Sequence, residues 1–264
     1  MDMTGLLDAI DSFAPWAIAE DWDNVGLIVG RRAQPVRRVI VALDLRRSVL
    51  EEAQASGADT ILVHHPPIFP SLAAVTDRRR SSELVLAAAE LRIAVVAAHT
   101  NLDSAAGGLN DRMAELLGIT GAVPLLPASE TSRIGLGRIG DVAPQRLAEF
   151  VLQVRSVVGG AVSWAGDPEE PVLRVACCTG SGGGFVDEAR DQRADVFVTS
   201  DLKYHDADRA DALALISVPH GQIEAAALAA WCPTLADAVA PEGVRISVAA
   251  RPTDPWELVP PAAL

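Results

Sequence analysis

Short apolar runs rich in Val and Ile alternate with helical patterns along this chain. In the first half the runs predict strands near Val25–Val29 and Val39–Leu43, and over Thr60–Val63 and Ile93–Ala98. Apolar positions at helical spacing predict helices over Ser48–Ala55, Ser82–Leu91 and Ala106–Leu117. Gly57 and Gly118 stand at helix ends, where a left-handed cap favours glycine. Continuous apolar strands joined by helices imply a largely parallel sheet covered on both faces.

The loop-like stretch Pro124 to Ser132 is the best candidate for a domain boundary. Beyond it the pattern restarts with a strand over Arg133–Ile139 and a helix over Pro144–Val154, Pro144 being suited to a first turn. A turn-rich break covers Gly166 to Pro171. Strands over Leu173–Cys178 and Val196–Thr199 follow, separated by a helix beginning near Gly184. The remainder reads as a helix near Asp206–Ala212, a strand over Leu215–Val218, a helix over Gln222–Ala230 and a strand over Val244–Val248. Both halves share one coarse α/β rhythm, without evident sequence identity between them.

A length of 264 residues favours one large or two small domains. Half the residues are apolar, enough for a sizeable core without disulfides. The charge, 22 − 35 = −13, argues against nucleic-acid or anionic-membrane partners. Cys177, Cys178 and Cys232 have no metal-type spacing and suggest no disulfide framework, which fits a reducing cytoplasm. The opening MDMTGLLDAIDSF carries acids and no basic region, so it does not read as a signal peptide. No apolar stretch long enough to span a bilayer escapes charge, so no membrane span is expected.

The residue counts sharpen the picture. Lys203 is the only Lys among 22 cations, and Tyr204 beside it is the only Tyr. Asn is confined to Asn24, Asn101 and Asn110. This resembles a GC-rich coding bias, under which the surviving Lys, Tyr and Asn either cluster by chance or stand where the residue type matters. The five histidines also cluster, as His64 and His65, His99, His205 and His220.

The segment DTILVHHPPIFP puts His64 and His65 directly after a buried-looking strand. Ligands of open parallel sheets gather beyond the carboxyl ends of strands. Pro66 and Pro67 stop the strand and restrict the backbone. Adjacent side chains point to opposite faces, so the pair can serve two metal ions; a surface or capping role is the alternative. In AVVAAHTNLDSAAGGLND, His99, Asn101 and Asp103 follow another strand. Asp103 is either a carboxylate ligand or the N-cap of a helix starting near Ser104 or Ala105. His99 can orient a ligand or bind substrate, and Asn101 and Asn110 can equally be turn residues. In SVPHGQIEAAALAA, His220 and Glu224 are four apart and share one helix face, as chelators or as solvated groups. Three imidazoles with two carboxylates suit Zn, Fe, Mn or Co rather than Mg or Ca.

Three further segments carry candidate chemistry. In VFVTSDLKYHDAD, Lys203 can neutralise a phosphate or a developing negative charge, and His205 can act as general acid or base; loop packing with a solvated Lys is the alternative. The run GSGGGF, Gly180 to Phe185, can cradle phosphate through its amides. It lacks a P-loop Lys and the full dinucleotide fingerprint, so a tight structural turn is the better reading. The segment AEDWDNVGLIVG either lines the cleft with Glu20 to Asn24 or forms a turn anchored by Trp22. No G-x-S-x-G elbow exists, and Cys177 and Cys178 lie in an apolar strand, which disfavours Ser and Cys nucleophiles.

Taken in order, AEDWDNVGL, ILVHHPPIF, AAHTNLDSAAGGLND, IGLGRIGDV, GSGGGF, ADVFVTSDLKYHDA and the terminal HGQIE resemble the Nif-three-like family, whose members are named GTP cyclohydrolase 1 type 2 homologs. The segments span nearly the whole chain, and the length matches the short bacterial form. The resemblance implies an α/β fold of two related subdomains with largely parallel or mixed sheets flanked by helices. It places a metal cleft between them, with residues 1–125 and 215–264 in the first subdomain and 126–214 in the second. It implies two divalent ions per chain held by His64, His65, Asp103, His220 and Glu224, and ring-shaped homohexamers. Pro219 and Gly221 depart from the Gly and aromatic that commonly flank the family's last His, and Ser200 replaces the usual Gly before Asp201. The first two changes put the pocket wall, and hence the substrate, in question, and Ser200 is a milder change.

Two functions follow from this reading. The first is a cytoplasmic, metal-dependent hydrolase acting on a nucleotide-like or phosphorylated small molecule, with His99, Lys203 and His205 as catalytic candidates. The second is a non-catalytic metal-binding oligomer with a storage, delivery or regulatory role.

Overall fold

The computed structural model describes residues 1–256. The chain opens with helix α1 (Met3–Phe13), whose N-cap Asp2 accepts a hydrogen bond from the Gly5 N–H at 3.0 Å. The sequence expectation lacks this helix, although Met3, Leu6, Leu7 and Ile10 recur at helical spacing and are its buried face. Next come β1 (Gly26–Val29), β2 (Arg38–Ala42), α2 (Arg47–Ser56), β3 (Thr60–Val63), α3 (Arg80–Glu90), β4 (Ala94–Ala97) and the short α4 (Thr100–Ser104). Gly57 caps α2 at φ 68°, the left-handed conformation that the pattern predicts there.

The chain continues through α5 (Leu109–Leu116), β5 (Thr120–Val123), β6 (Leu126–Pro127), β7 (Gly135–Leu136), β8 (Arg138–Arg146), α6 (Leu147–Val158), β9 (Ser163–Ala165) and β10 (Pro171–Ser181). It ends with α7 (Val186–Asp191), β11 (Val196–Ser200), α8 (Tyr204–Asp208), β12 (Ala214–Ser217), α9 (His220–Val239) and β13 (Arg245–Val248). Two compact units result: Met1–Leu102 with Leu228–Asp254, and Asp103–Ala227. The changeovers fall inside α4 and α9, where composition leaves no mark. The Pro124 to Ser132 loop lies within the second unit.

The first unit holds a five-stranded sheet in the order β1-β4-β3-β2-β13. Its strands are parallel except β1, which pairs antiparallel with β4 at the edge. Ile40, Ile61 and Val95 align across three strands and pack with Val49 and Leu50 of α2 and Leu84 and Ala88 of α3. The second unit holds a six-stranded mixed sheet, β5-β8-β10-β11-β12-β9. Here β10, β11 and β12 are parallel, and Ile139, Ala176, Phe197 and Leu215 form its core with Val186 of α7. The fold is therefore mixed α/β, as the alternation of apolar strands and helices predicts.

Three local expectations are corrected. Pro144 does not start a helix; it lies in β8, in the stretch where the register against β10 shifts, so its missing N–H interrupts no regular ladder. The helix expected over Ala106–Leu117 starts only at Leu109, as α5, after Gly107 at φ 76°, and the short α4 precedes it outside the expected range. The helix expected near Gln222–Ala230 begins at His220 and runs past Pro233. Its length and composition would allow it to cross a bilayer, but Ile223, Ala227, Trp231, Leu235 and Val239, four apart, are all buried in the protein.

One buried ion pair braces the second unit. Arg138 is 1 % exposed, and its guanidinium donates to both carboxylate oxygens of Asp111, at 2.6 and 2.8 Å. It also donates to the carbonyls of Gly135, Gly137 and Ala105. All three guanidinium nitrogens are thus engaged by protein oxygens, as a desolvated Arg requires.

Candidate functional site

In the first unit the carboxyl ends of three adjacent parallel strands carry the chemistry. Asp44 follows β2, His64 and His65 follow β3, and His99 follows β4. Pairing of the strands sets these groups side by side. The His64 and His65 rings are 5.1 Å apart, His64 and His99 are 5.0 Å apart, and His65 and His99 are 5.6 Å apart, between centroids. One nitrogen from each imidazole lies within 4.8 Å of the others, close enough to share a metal ion.

Each ring is oriented through Nδ1. His64 Nδ1 donates to the Ala98 carbonyl at 2.9 Å. His65 Nδ1 donates to Asp44 Oδ1 at 3.1 Å, and His99 Nδ1 donates to Asp23 Oδ1 at 2.9 Å. A carbonyl or carboxylate can only accept, so the lone pair of each neutral ring sits on Nε2. Metal-binding histidines are commonly oriented in this way, with the non-ligating nitrogen tied to a protein oxygen. Burial acts to raise the Asp23 carboxyl, but hydrogen bonds from His99 and Thr100 outweigh it and hold the group well below the ordinary carboxylate range. Asp44 is lowered too: burial opposes, while the His65 hydrogen bond and charge and Arg46 favour the anion.

The second unit repeats the strand-end arrangement. The carboxyl ends of β10, β11 and β12 carry Thr179 and Gly180, Asp201, and His220. His220 opens α9, and its Nδ1 donates to Asp201 Oδ2 at 2.7 Å. Its Nε2 lies 3.0 Å from Oε1 of the buried Glu224, one helical turn on, which confirms the shared face. The Glu224 hydrogen bond, opposed by burial and aided by the charges of Glu224 and Asp201, raises His220 to about 9. The His220 ring thus lies between two carboxylates, one at each nitrogen. Gly180, at φ 71°, leaves space for this pair: a Cβ would stand 2.6 Å from Glu224 Oε1.

Asp103 lies inside α4 rather than capping a helix that starts after it, which overturns its N-cap reading. Its Oδ1 accepts from Thr179 Oγ1 at 3.1 Å, and Asn110 donates to its backbone carbonyl at 3.0 Å. Asn110 Oδ1 also accepts from the Thr179 N–H at 2.9 Å. Asn101 is fully buried and bonds the Ala14 carbonyl and the His99 N–H. Asn101 and Asn110 are therefore scaffolding behind the candidate site.

The remaining candidates sit differently. Lys203, Tyr204 and His205 lie on or beside the exposed five-residue helix α8, with Tyr204 81 % exposed. In the glycine run, Gly182 N–H donates to Thr199 Oγ1 at 3.0 Å, and Thr199 and Ser200 hydroxyls donate to the Gly180 carbonyl. These bonds make it a tight structural turn, as its lack of a P-loop Lys suggests. Burial pushes the Cys177 thiol up to about 12 and Cys178 higher than usual, which removes both as nucleophiles at neutral pH. The residues missed in the sequence are Asp44 and Asp201. Each stands one strand over from the histidine it orients, at a strand end, and only the sheet order reveals the pairing.

The donor chemistry fits a transition-type divalent ion: imidazoles oriented by carboxylates or a carbonyl, with carboxylate partners. The described histidine and carboxylate clusters could hold metal.

Comparison with known proteins agrees with this architecture. A family model described as Duf34/NIF3 (NGG1p interacting factor 3) matches residues 1–255. A Streptomyces coelicolor protein named GTP cyclohydrolase 1 type 2 homolog is 32% identical over 269 residues, covering 96% of this chain and 93% of its own. A Clostridium perfringens protein of the same name is 32% identical over 207 residues, covering 78% and 79%. Among solved structures, a hypothetical protein of Staphylococcus aureus superposes with a TM-score of 0.92 at 27% identity, over 98% of this chain and 99% of that one. A Bacillus cereus protein related to NIF3, at 23% identity, shares the fold with a TM-score of 0.90 over 98% and 99%. The chain belongs to the Duf34/NIF3 family.

Proposed function

We propose that this chain is a metal-dependent hydrolase acting on a nucleotide-like or phosphorylated small molecule. The observation that carries the reading is the shared orientation of His64, His65 and His99, whose rings converge with each Nδ1 held by a protein oxygen. Such orientation fixes the tautomer and raises ligand basicity, which a merely packed histidine does not need. The proposed ligands of two divalent ions are His64, His65, Asp103, His220 and Glu224. Bound there, the ions would polarise the substrate and make an attacking water more acidic.

The chain's own residues supply the rest. Asp44 and Asp201 keep the His65 and His220 rings in register. Asp23 holds His99, which is placed to move a proton through Nε2 while its Nδ1–H stays on the carboxylate. Lys203 and His205, exposed on and beside α8, would meet the substrate's anionic group and its leaving group. An anionic substrate depends on metal charge and Lys203 for its attraction, because the chain itself carries −13. The relatives' name suggests ring opening of GTP, and hydrolysis of a nucleotide phosphoester suits the same groups.

The test is a nucleotide hydrolysis screen on reconstituted protein, with and without His64→Ala. Turnover that disappears in the variant supports the hydrolase. Turnover unchanged by the substitution rejects it, and bound metal without turnover favours the storage or delivery role. Sedimentation tests the proposed homohexamer, which a stable monomer would contradict.

A further inference from the structure

Trp22 and Phe69 have no role in the chemistry above, yet Trp22 stands against His99 of the first unit's histidine cluster and Phe69 stands against Trp22. Trp22 is 56 % exposed and Phe69 is 55 % exposed. A tryptophan that anchored its turn would be buried, so the anchoring reading of AEDWDNVGLIVG fails for this residue. Its neighbours do the anchoring. Asp23 binds the His99 ring together with the Thr100 N–H and hydroxyl, and Asn24 Nδ2 donates to the Ile68 carbonyl at 2.8 Å. These bonds tie the Trp22 turn to the β4 end on one side and to the Phe69 loop on the other.

The indole is thereby held between two rings. Its centroid is 5.7 Å from Phe69 at 59° and 6.1 Å from His99 at 77°. Neither contact is a face-to-face stack, so an indole fixed in position still presents more than half its surface to solvent. A rigid, exposed aromatic surface costs apolar exposure and returns nothing to the core. It suits a partner that is flat, apolar on its faces and polar on its rim. Stacking is also an uncharged handle, and so it escapes the repulsion that a chain of −13 imposes on phosphate.

We propose that Trp22, braced by Phe69, is the stacking platform for a planar heteroaromatic ring of the substrate, seated next to His99. This rests on the hydrolase reading of the histidine cluster and narrows its substrate to a compound bearing such a ring, rather than a phosphorylated aliphatic molecule. Trp22 then sets specificity, and His99, in edge contact with it, faces the part of the substrate that reacts.

The experiment is equilibrium binding to the metal-reconstituted full chain of GTP, ATP and inorganic triphosphate, which share the polyphosphate and differ in the ring. In wild type the nucleotides should bind more tightly than triphosphate. Trp22→Ala should weaken nucleotide binding by roughly tenfold or more while leaving triphosphate unchanged, and Trp22→Phe should retain most of the affinity. Phe69→Ala should give a smaller loss in the same direction. The proposal is overturned if no nucleotide outbinds triphosphate, or if Trp22→Ala leaves nucleotide binding intact or weakens all three ligands equally. It is also overturned if the variant changes the sedimentation of the protein and not its ring selectivity, since the indole would then be covered by a second copy of the chain. Failure of the hydrolase reading shows separately, in turnover that His64→Ala leaves unchanged.

Discussion

Nδ1 of His99 lies 2.9 Å from Oδ1 of Asp23, and Oδ2 of the same carboxylate takes the Thr100 N–H at 3.0 Å. One buried acid therefore fixes both the ring and the backbone that carries it. Asp23→Asn should reduce metal affinity or activity by about 10–100-fold, the usual cost of losing a group that orients a site histidine. Competition with a chromophoric chelator, together with steady-state turnover, checks this. Wild-type values for both would deny Asp23 an orienting role.

A second prediction concerns stability alone. Arg138 is buried against Asp111, so Arg138→Leu strands a carboxylate and Asp111→Asn strands a buried guanidinium. Each single change should cost about 3–5 kcal/mol, read by urea unfolding. A double change to a well-packed apolar pair should cost less than the two single changes added together.

The same pair sets an acid limit. Burial acts to raise the Asp111 carboxyl, but the Arg138 hydrogen bonds and charge hold it below its ordinary 3.8. The unfolded chain therefore takes up this proton at higher pH than the folded one. The stabilisation is fully present above pH 3.8 and is lost as pH falls through the lower folded value. Asp111→Asn should flatten this part of the acid-unfolding profile. A wild-type slope in the variant would show that other carboxylates carry it.

Gly180 provides a steric test. At φ 71°, with Glu224 Oε1 2.6 Å from where a Cβ would stand, Gly180→Ala strains the backbone and displaces the carboxylate. The strain should cost on the order of 1–3 kcal/mol, and metal affinity should fall with it. Unchanged affinity would remove Glu224 from the ligand set.

A variant of His205 is expected to separate metal binding from chemistry. His205→Ala should lower turnover by about 10²–10⁴-fold while metal content stays at the wild-type level. Loss of metal in this variant would instead make α8 part of the metal-binding framework.

How much of this was legible in the sequence depends on the distance over which each feature is decided. The strands that lead into His64 and His99 are local apolar runs, and the glycine that caps α2 is a local signal, so both could be read directly. The i, i+4 relation of His220 and Glu224 needs only the helical period. The partners Asp44, Asp23 and Asp201 could not be read in this way, because sheet order alone sets each beside its histidine. The break between α4 and α5 changed the meaning of Asp103, since a residue inside a helical turn cannot cap the next helix. Pro144 misled because proline suits a helix start and an irregular strand equally. The sole Lys and the sole Tyr drew attention to α8, and the exposure of that helix, which composition cannot report, keeps both available to a substrate.

The oriented histidines are proposed to hold metal. The most direct measurement is metal content per chain by elemental analysis after reconstitution with Zn, Mn, Fe or Co, for wild type and His64→Ala. Two ions per wild-type chain and a clear loss in the variant are expected. Fewer than one ion per wild-type chain with every metal tried would contradict it.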